Sequence, residues 1–221
     1  MTHRLGDLVE VYRGKVILKA ELHEEGDTRV LNVSNIQEVN SQEEGMDRIQ
    51  MEASELSKYQ VREGDLVMTA RGTKFKSALI RELPSFQVIL SGNLLGIRSH
   101  DALLMEYLHI LFQSPEGKKR VGADLSVGES INIGKKNVEE MHIPMIPRSE
   151  MESMVDLYRN EQKSYLQQMK AAETRWRQSR NRIFSQLADS TRWTESDVPR
   201  PKTSTVPRQI RKKESLFIEL D

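Results

Sequence analysis

Basic side chains interleaved with glycine and an aromatic residue follow the most apolar stretch of the chain. Arg71, Lys74 and Lys76 come directly after residues 66–70 (LVMTA), which are predicted to form a buried strand. Two further groups of polar residues lie beyond a predicted helix and in a glycine-punctuated stretch. Their members are Lys118, Lys119 and Arg120, then Ser130, Asn132, Lys135 and Lys136. Arg and Lys hold phosphates, and Arg, Asn and Ser also read base edges, so these residues are the predicted DNA-binding residues.

Each group also has an ordinary interpretation, as a solvated loop in a chain of which 30% of the residues are charged. A nuclease site made of Asp65 and Lys74 is a further alternative. The sequence has no Gly-rich phosphate loop and no G-x-S-x-G elbow, and it has no cysteine. Its five histidines have no metal-ligand spacing. We therefore expect no catalysis by this chain, no cofactor and no metal site.

The formal net charge is zero, with 33 basic and 33 acidic side chains, but the charges are unevenly distributed. Residues 1–60 have an acidic excess, whereas residues 146–221 have a basic excess. A DNA-binding protein with no net charge needs a local basic surface. The net charge therefore does not indicate whether this protein binds DNA. The apolar runs are too short to span a membrane and the N-terminus lacks a signal-peptide core, so we expect a cytoplasmic protein.

The elements that must position the polar residues are mostly short strands. Alternating or continuous apolar runs predict strands at residues 29–33, 66–70, 77–80, 87–90 and 93–98. Residues 100–113 have apolar side chains at helical spacing, and 135–141 form one last turn. Residues 142–147 (HIPMIP) are extended, because each proline disfavours helix in the residue before it. The predicted fold class is α+β, with a β-rich domain followed by one long α-helix that forms a coiled coil.

The longest regular pattern begins after Pro147 and steps alternately by three and four residues for about five heptads. A helix of ~40 residues would be roughly 60 Å long. Ser149 is the predicted N-cap, and Gln162 and Ser179 are polar positions within the stripe. The predicted seam with a partner helix consists of Met151, Val155, Tyr158, Tyr165, Met169, Trp176 and Ile183. The alternative is a long amphipathic helix folded back on its own domain.

A series of short segments follows a fixed order between residue 4 and about residue 188. The clearest is 64–73 (GDLVMTARGT), and the extended segment ends in IPMIP at 143–147. The other segments are 4–14, 29–36, 91–98, 106–114 and 131–141. This series resembles the DNA specificity subunit of type I restriction–modification systems, where similar segments read G-D-I-L … R-G-T and I-P-L-P-P. Two features depart from that family. The helix begins PRSEM instead of P-P-L-x-E-Q, and the family's second target-recognition domain and second helix are not in this sequence.

The resemblance implies a target-recognition domain over residues 1–147, a spacer and dimerisation helix over 148–188 and a flexible basic tail over 189–221. It implies a non-catalytic subunit that binds double-stranded DNA and docks methyltransferase subunits, and possibly a restriction subunit. Two copies paired through their helices would rebuild a two-domain subunit that reads an inverted repeat. Two alternatives remain open. One is a coiled-coil adaptor or decoy that binds proteins instead of DNA, and the other is a nuclease or methyltransferase in its own right.

Overall fold

The computed structural model describes residues 2–36, 45–123 and 130–190, with side chains as far as residue 187 in the last range. The predicted tail therefore lies outside the described residues from 191 onward. The chain divides into two compact units, residues 1–164 and residues 165–221.

Short strands and one very long helix make up the described part of the chain. The strands are β1 (Thr2–Arg4), β2 (Glu10–Arg13), β3 (Thr28–Leu31), β4 (Asp47–Ile49), β5 (Leu66–Thr69), β6 (Arg71–Gly72), β7 (Ser77–Leu79), β8 (Gln87–Leu90), β9 (Leu94–Arg98), β10 (Ile131–Asn132) and β11 (His142–Pro144). The helices are α1 (Ala53–Tyr59), α2 (Ala102–Gln113), α3 (Pro115–Arg120), α4 (Lys135–Glu140) and α5 (Arg148–Ser190). The α+β class with a long C-terminal helix is thus confirmed, while the coiled-coil pairing of that helix stays a prediction.

The central sheet has the order β2-β9-β5-β7 and is antiparallel throughout. Every residue of β5 is buried, because both faces of the sheet are covered. Leu66 and Met68 pack into one hydrophobic cluster with α2, whereas Val67 faces a second cluster on the other side. This is the two-residue alternation of a strand with two apolar faces, which explains why 66–70 is an uninterrupted apolar run.

A second sheet has the order β4-β3-β8, and its β3 and β8 strands run parallel. Parallel neighbours require a long crossover, and here the chain between them includes α1, β5 and β7. The two predicted strands at 29–33 and 87–90 are direct partners, with Thr28 opposite Gln87 and Leu31 opposite Leu90. In sequence, 55 residues lie between the end of β3 at Leu31 and the start of β8 at Gln87. The strand pattern alone does not indicate this pairing.

The first turns of α5 belong to the folded body of residues 1–164. Met151 and Val155 are buried in the same cluster as α2, and Tyr158 contacts His109 edge-to-face with ring centroids 6.1 Å apart. The seam prediction is wrong for Met151 and Val155, because an apolar side chain already buried in its own domain is not available to a second helix. At this end the helix follows the alternative interpretation, in which it packs on its own domain.

The later turns of α5 have a different environment. Four side chains of the predicted seam are about half exposed, namely Tyr165, Met169, Trp176 and Ile183. They therefore stay candidates for an interface with another helix. Among the described residues, no helix combines the length and apolar character needed to span a membrane.

Candidate nucleic-acid interface

A two-stranded ribbon brings together two of the predicted polar groups. β6 pairs with β10 in antiparallel register, and Arg71 lies directly opposite Asn132. Side chains directly opposite each other in such a pair lie on the same face. Both are exposed, and within the described residues neither side chain has a hydrogen-bond or ion-pair partner. The ribbon thus presents an uncompensated guanidinium and an amide side by side.

A cleft of about 520 Å³ holds a second set of predicted residues. Lys74 and Lys118 line it, and its apolar wall comes from Ile36, Phe75 and Phe112. Across the described residues, neither lysine has an acidic partner. Two uncompensated ammonium groups beside an apolar wall form a local positive site that suits phosphate groups.

Lys76 has an internal role that the sequence did not indicate. Its Nζ donates hydrogen bonds to the backbone carbonyls of Val33 (3.2 Å) and Ile36 (2.8 Å). Val33 begins the 3-10 turn that follows β3 and Ile36 directly follows its last residue, so the ammonium fixes that turn against the β5–β7 connection. Because two of the three N–H donors of this ammonium already bind carbonyls of the chain, Lys76 is less available for contact with DNA than the sequence predicted.

The remaining predicted residues lie on two short helices and at the start of a strand. Arg120 donates to the carbonyl of His142 (3.2 Å) and pairs with Glu116 (2.7 Å), and Lys119 is exposed on the same helix, α3. On α4, Lys135 and Lys136 form i,i+4 pairs with Glu139 and Glu140 at 3.5 and 3.7 Å. Exposed Ser130 precedes β10. Because nearby carboxylates offset Arg120, Lys135 and Lys136, these three cations contribute less positive potential than Lys74 and Lys118.

Asp65, the candidate nuclease carboxylate, is fully buried within a polar network. It accepts hydrogen bonds from Arg98 Nε (2.7 Å) and NH2 (2.6 Å), from the hydroxyl of Tyr12 (2.7 Å) and from the backbone N–H of Arg62 (2.7 Å). Burial and the adjacent Asp65 carboxylate raise the pKa of the Tyr12 hydroxyl, which keeps it a donor. Both oxygens of the Asp65 carboxylate are thus engaged in hydrogen bonds within the fold. Asp65 is therefore not available as a metal ligand in a nuclease site with Lys74.

Some neighbours of Arg71 were not predicted from the sequence. The carbonyl of Asn93 accepts hydrogen bonds from the N–H groups of Ala70 (2.8 Å) and Arg71 (3.1 Å), so the exposed Asn93 side chain lies beside β6. Val16 and Leu18 are exposed and line one cavity together with Arg71 and Asn93. Asn93 sits in a turn, and Val16 and Leu18 lie outside any strand or α-helix, so no strand or helix periodicity distinguishes these residues.

Comparison with known proteins places this arrangement in a known fold. The chain is similar to a chain from a structure on complex assembly and conformational transition of the type I R-M system, with a TM-score of 0.56 and 18% identity. It is also similar to the HsdS subunit from Thermoanaerobacter tengcongensis, with a TM-score of 0.53 and 14% identity. The chain has the fold of a type I specificity subunit. A third similar structure is the type IIG restriction endonuclease BpuSI, with a TM-score of 0.50 and 12% identity.

The similarity covers most of this chain but less than half of each of those proteins. It extends over 79%, 74% and 72% of this chain, and over 41%, 37% and 26% of the three chains in the same order. No family model matches the sequence, and no curated protein matches it. The likeness thus concerns the fold.

Proposed function

We propose that this chain is a non-catalytic DNA sequence-specificity subunit of a type I restriction–modification system. It reads DNA through the domain of residues 1–147, associates with a second copy through the helix of 148–188 and docks methyltransferase subunits. The observation that carries the proposal is the pair of uncompensated lysines, Lys74 and Lys118, beside an apolar cleft in a specificity-subunit fold. In this proposal the two copies read a bipartite site with inverted half-sites.

The charges around the cleft support phosphate binding in particular. A lysine without an acidic partner gains more from a phosphate than a lysine that must first give up a carboxylate. Lys74 and Lys118 meet this condition in the described part of the chain, whereas Lys135 and Lys136 do not. The partly exposed ring of Phe75 adds an apolar surface on which sugar or base carbons can pack.

A first test compares Lys74→Ala and Lys118→Ala with the wild-type chain on duplex DNA over a range of salt concentrations. A lysine that neutralises one phosphate contributes about 0.9 to the salt slope of the binding constant, so each variant should lower that slope by ~1. The loss of affinity should be similar on all sequences, because phosphates carry no sequence information.

Lys58→Ala is the matched control, because Lys58 is an exposed lysine on α1, away from the cleft. Its salt slope should equal that of the wild-type chain. Unchanged slopes for both cleft variants would contradict phosphate binding at this site.

A second candidate function is a coiled-coil adaptor or decoy with the same fold that binds proteins and not DNA. The observation that favours it is the exposed apolar stripe of Tyr165, Met169, Trp176 and Ile183, which suits a protein partner. A pull-down with duplex DNA, with and without the methyltransferase subunit of a type I system, separates the two. The adaptor retains the subunit without retaining DNA, whereas a specificity subunit retains both.

As a specificity subunit, the chain does no chemistry on DNA. The purified chain incubated with duplex DNA, Mg²⁺ and a methyl donor should leave the DNA uncut and unmethylated. Cleavage that is lost on Asp65→Asn with the fold intact would favour the nuclease alternative instead.

A further inference from the structure

The segment after β2 is fixed firmly although part of it is exposed. Its Lys15 donates from the backbone N–H to the carbonyl of Leu90 (2.8 Å), and the Lys15 ammonium pairs with Glu55 (2.8 Å) and Glu21 (3.2 Å). Glu21 in turn accepts a hydrogen bond from the N–H of Leu18 (2.8 Å). These contacts hold residues 15–21 in one conformation, so the side chains that point outward are held in place.

Two of those outward side chains are large and apolar. Val16 is 69% exposed and Leu18 is 62% exposed. Val16 lies against Gly92, where an added Cβ would come within 2.9 Å of the Val16 Cγ2 atom. A glycine is therefore needed at 92 for Val16 to lie on the turn before β9. Apolar side chains held rigidly at the surface are typical of a binding site.

The same place contains polar side chains of the types that read bases. Arg71 and Asn93 line a cavity of about 230 Å³ together with Val16 and Leu18. Two backbone hydrogen bonds to the Asn93 carbonyl fix the turn against β6, and Asn132 lies opposite Arg71 on the ribbon. Within the described ranges, the side chains of Arg71, Asn93 and Asn132 have no intramolecular partner.

The electrostatics of the cavity favour a polar, electron-rich ligand over a cation. The one carboxylate that lines it, on Asp47, accepts a hydrogen bond from the Asn32 amide (2.9 Å). Lys19 lines the cavity as well, so the charged side chains that line it besides Asp47 are the cations of Arg71 and Lys19. A guanidinium pairs with guanine O6 and N7, a carboxamide pairs with adenine N6 and N7, and an apolar side chain contacts the thymine methyl group.

We propose that Arg71, Asn93 and Asn132, with Val16 and Leu18 beside them, form the base-reading surface of this chain. Arg71 reads a guanine, one or both asparagines read an adenine, and the apolar pair contacts a thymine methyl group in the major groove. This inference rests on the proposed function, since it assumes that the chain binds DNA. In this inference, Arg71, Asn93 and Asn132 read bases, whereas Lys74 and Lys118 bind phosphates.

The first experiment is binding selection with the full chain on a duplex library that carries a random region between fixed arms. The wild-type chain should select a motif that contains guanine, adenine and thymine. Arg71→Ala should keep the rest of the motif and lose the guanine preference, with a fall in affinity between about fivefold and about 150-fold. Asn93→Ala and Asn132→Ala together should relax the adenine position, and the salt slope should stay unchanged for the asparagine variants.

Base analogues in the selected duplex test each contact directly. Replacing the guanine by 7-deazaguanine removes N7, and replacing the thymine by uracil removes the methyl group. The first change should weaken binding by the wild-type chain but not by Arg71→Ala. The second should weaken the wild-type chain but not Val16→Ala/Leu18→Ala. Such non-additivity shows that the removed protein group and the removed base group touch each other.

Arg62→Ala is the matched control, because Arg62 is exposed and lies in the turn before β5, outside this cavity. It should select the wild-type motif. If the wild-type chain selects a motif that Arg71→Ala and the asparagine variants leave intact, the base-reading assignment is overturned while the proposed function stands. If the wild-type chain selects no motif from the library, the assignment and the proposed function both fail.

Discussion

Glu106 is a buried acid on α2 that contacts the segment after β7 and the helix α5. Its carboxylate accepts hydrogen bonds from Arg81 and from Arg159 on the first turns of α5 (2.7 Å). Burial by itself would raise the pKa of the Glu106 carboxyl, but the two guanidinium groups outweigh that effect and hold it below the usual range. Removing one partner of such a buried set leaves an uncompensated charge, which is more costly than losing the pair as a whole.

His109 lies one helical turn from Glu106 and gives the domain a dependence on pH. Burial and the nearby Arg81 lower its pKa to about 4, and among the described residues its Nδ1 has no hydrogen-bond partner. As pH falls below the ordinary value of 6.5, the unfolded chain takes up a proton that the folded chain does not. Stability should therefore fall between pH 6.5 and pH 4. Glu106 stabilises the fold above its ordinary pKa, and this contribution is lost as pH falls through its lowered pKa.

Replacing His109 by phenylalanine should remove the loss of stability that His109 causes as the pH falls. The wild-type free energy of unfolding should fall by about 2 kcal/mol more between pH 7 and pH 5 than that of His109→Phe. Urea unfolding at the two pH values measures the difference. His100→Phe is the control at an exposed histidine and should keep the wild-type pH dependence. Equal pH dependence in the wild-type chain and in His109→Phe would contradict the burial argument.

The helix α5 has one apolar pattern and two environments. At its start, Met151 and Val155 are almost fully buried, whereas Tyr165, Met169 and Trp176 are each more than half exposed. Exposing a stripe of large apolar side chains is unfavourable for an isolated helix, and a second helix covers such a stripe at heptad spacing. The proposed self-association thus concerns the part of α5 after Ser164.

If Tyr165 and Met169 form an interface between two copies, Tyr165→Asp/Met169→Asp should yield monomers. Burying a large apolar side chain contributes roughly 1.5–3 kcal/mol, and an unpaired buried carboxylate opposes association further. Light scattering or sedimentation measures the mass. The control is Gln167→Asp/Ala171→Asp, which adds the same charges two residues further on, about 200° around the helix. A double variant in the stripe that still forms dimers would rule out this seam.

At the scale of the whole molecule, the proposed dimer connects helix length with the spacing of the DNA site. The 43 residues of α5 span roughly 65 Å at 1.5 Å per residue, which corresponds to an upper limit of about 19 base pairs at 3.4 Å each. Two identical domains related by two-fold symmetry should read identical half-sites in inverted repeat, with an unread spacer between them.

Inserting seven residues after Met169 tests this relation. Seven residues keep the heptad register and lengthen the helix by about 10 Å, so the unread spacer should grow by ~3 base pairs. Binding selection on random duplexes with both chains measures the spacer. An asymmetric site, or a spacer that the insertion leaves unchanged, would show that the helix does not set the distance between two copies of this chain.

Local pattern was sufficient to predict several elements from the sequence. The apolar run at 66–70 became the buried β5, the helical spacing at 100–113 became α2, and the helix after Pro147 begins at Arg148. These features follow from the periods of strand and helix and from the restriction that proline imposes on its neighbour. The order of the motifs also indicated the specificity-subunit fold that the comparisons show.

Contacts between residues far apart in sequence could not be predicted from local patterns. Arg71 and Asn132 are cross-strand neighbours, Lys76 binds the carbonyls of Val33 and Ile36, and Asp65 is enclosed by Arg98 and Tyr12. A local period states which face of an element is apolar, but it does not state which other element covers that face. For the same reason one uniform stripe on α5 contains both core residues and exposed ones. The side chains available to a ligand are those that no distant part of the fold has already engaged.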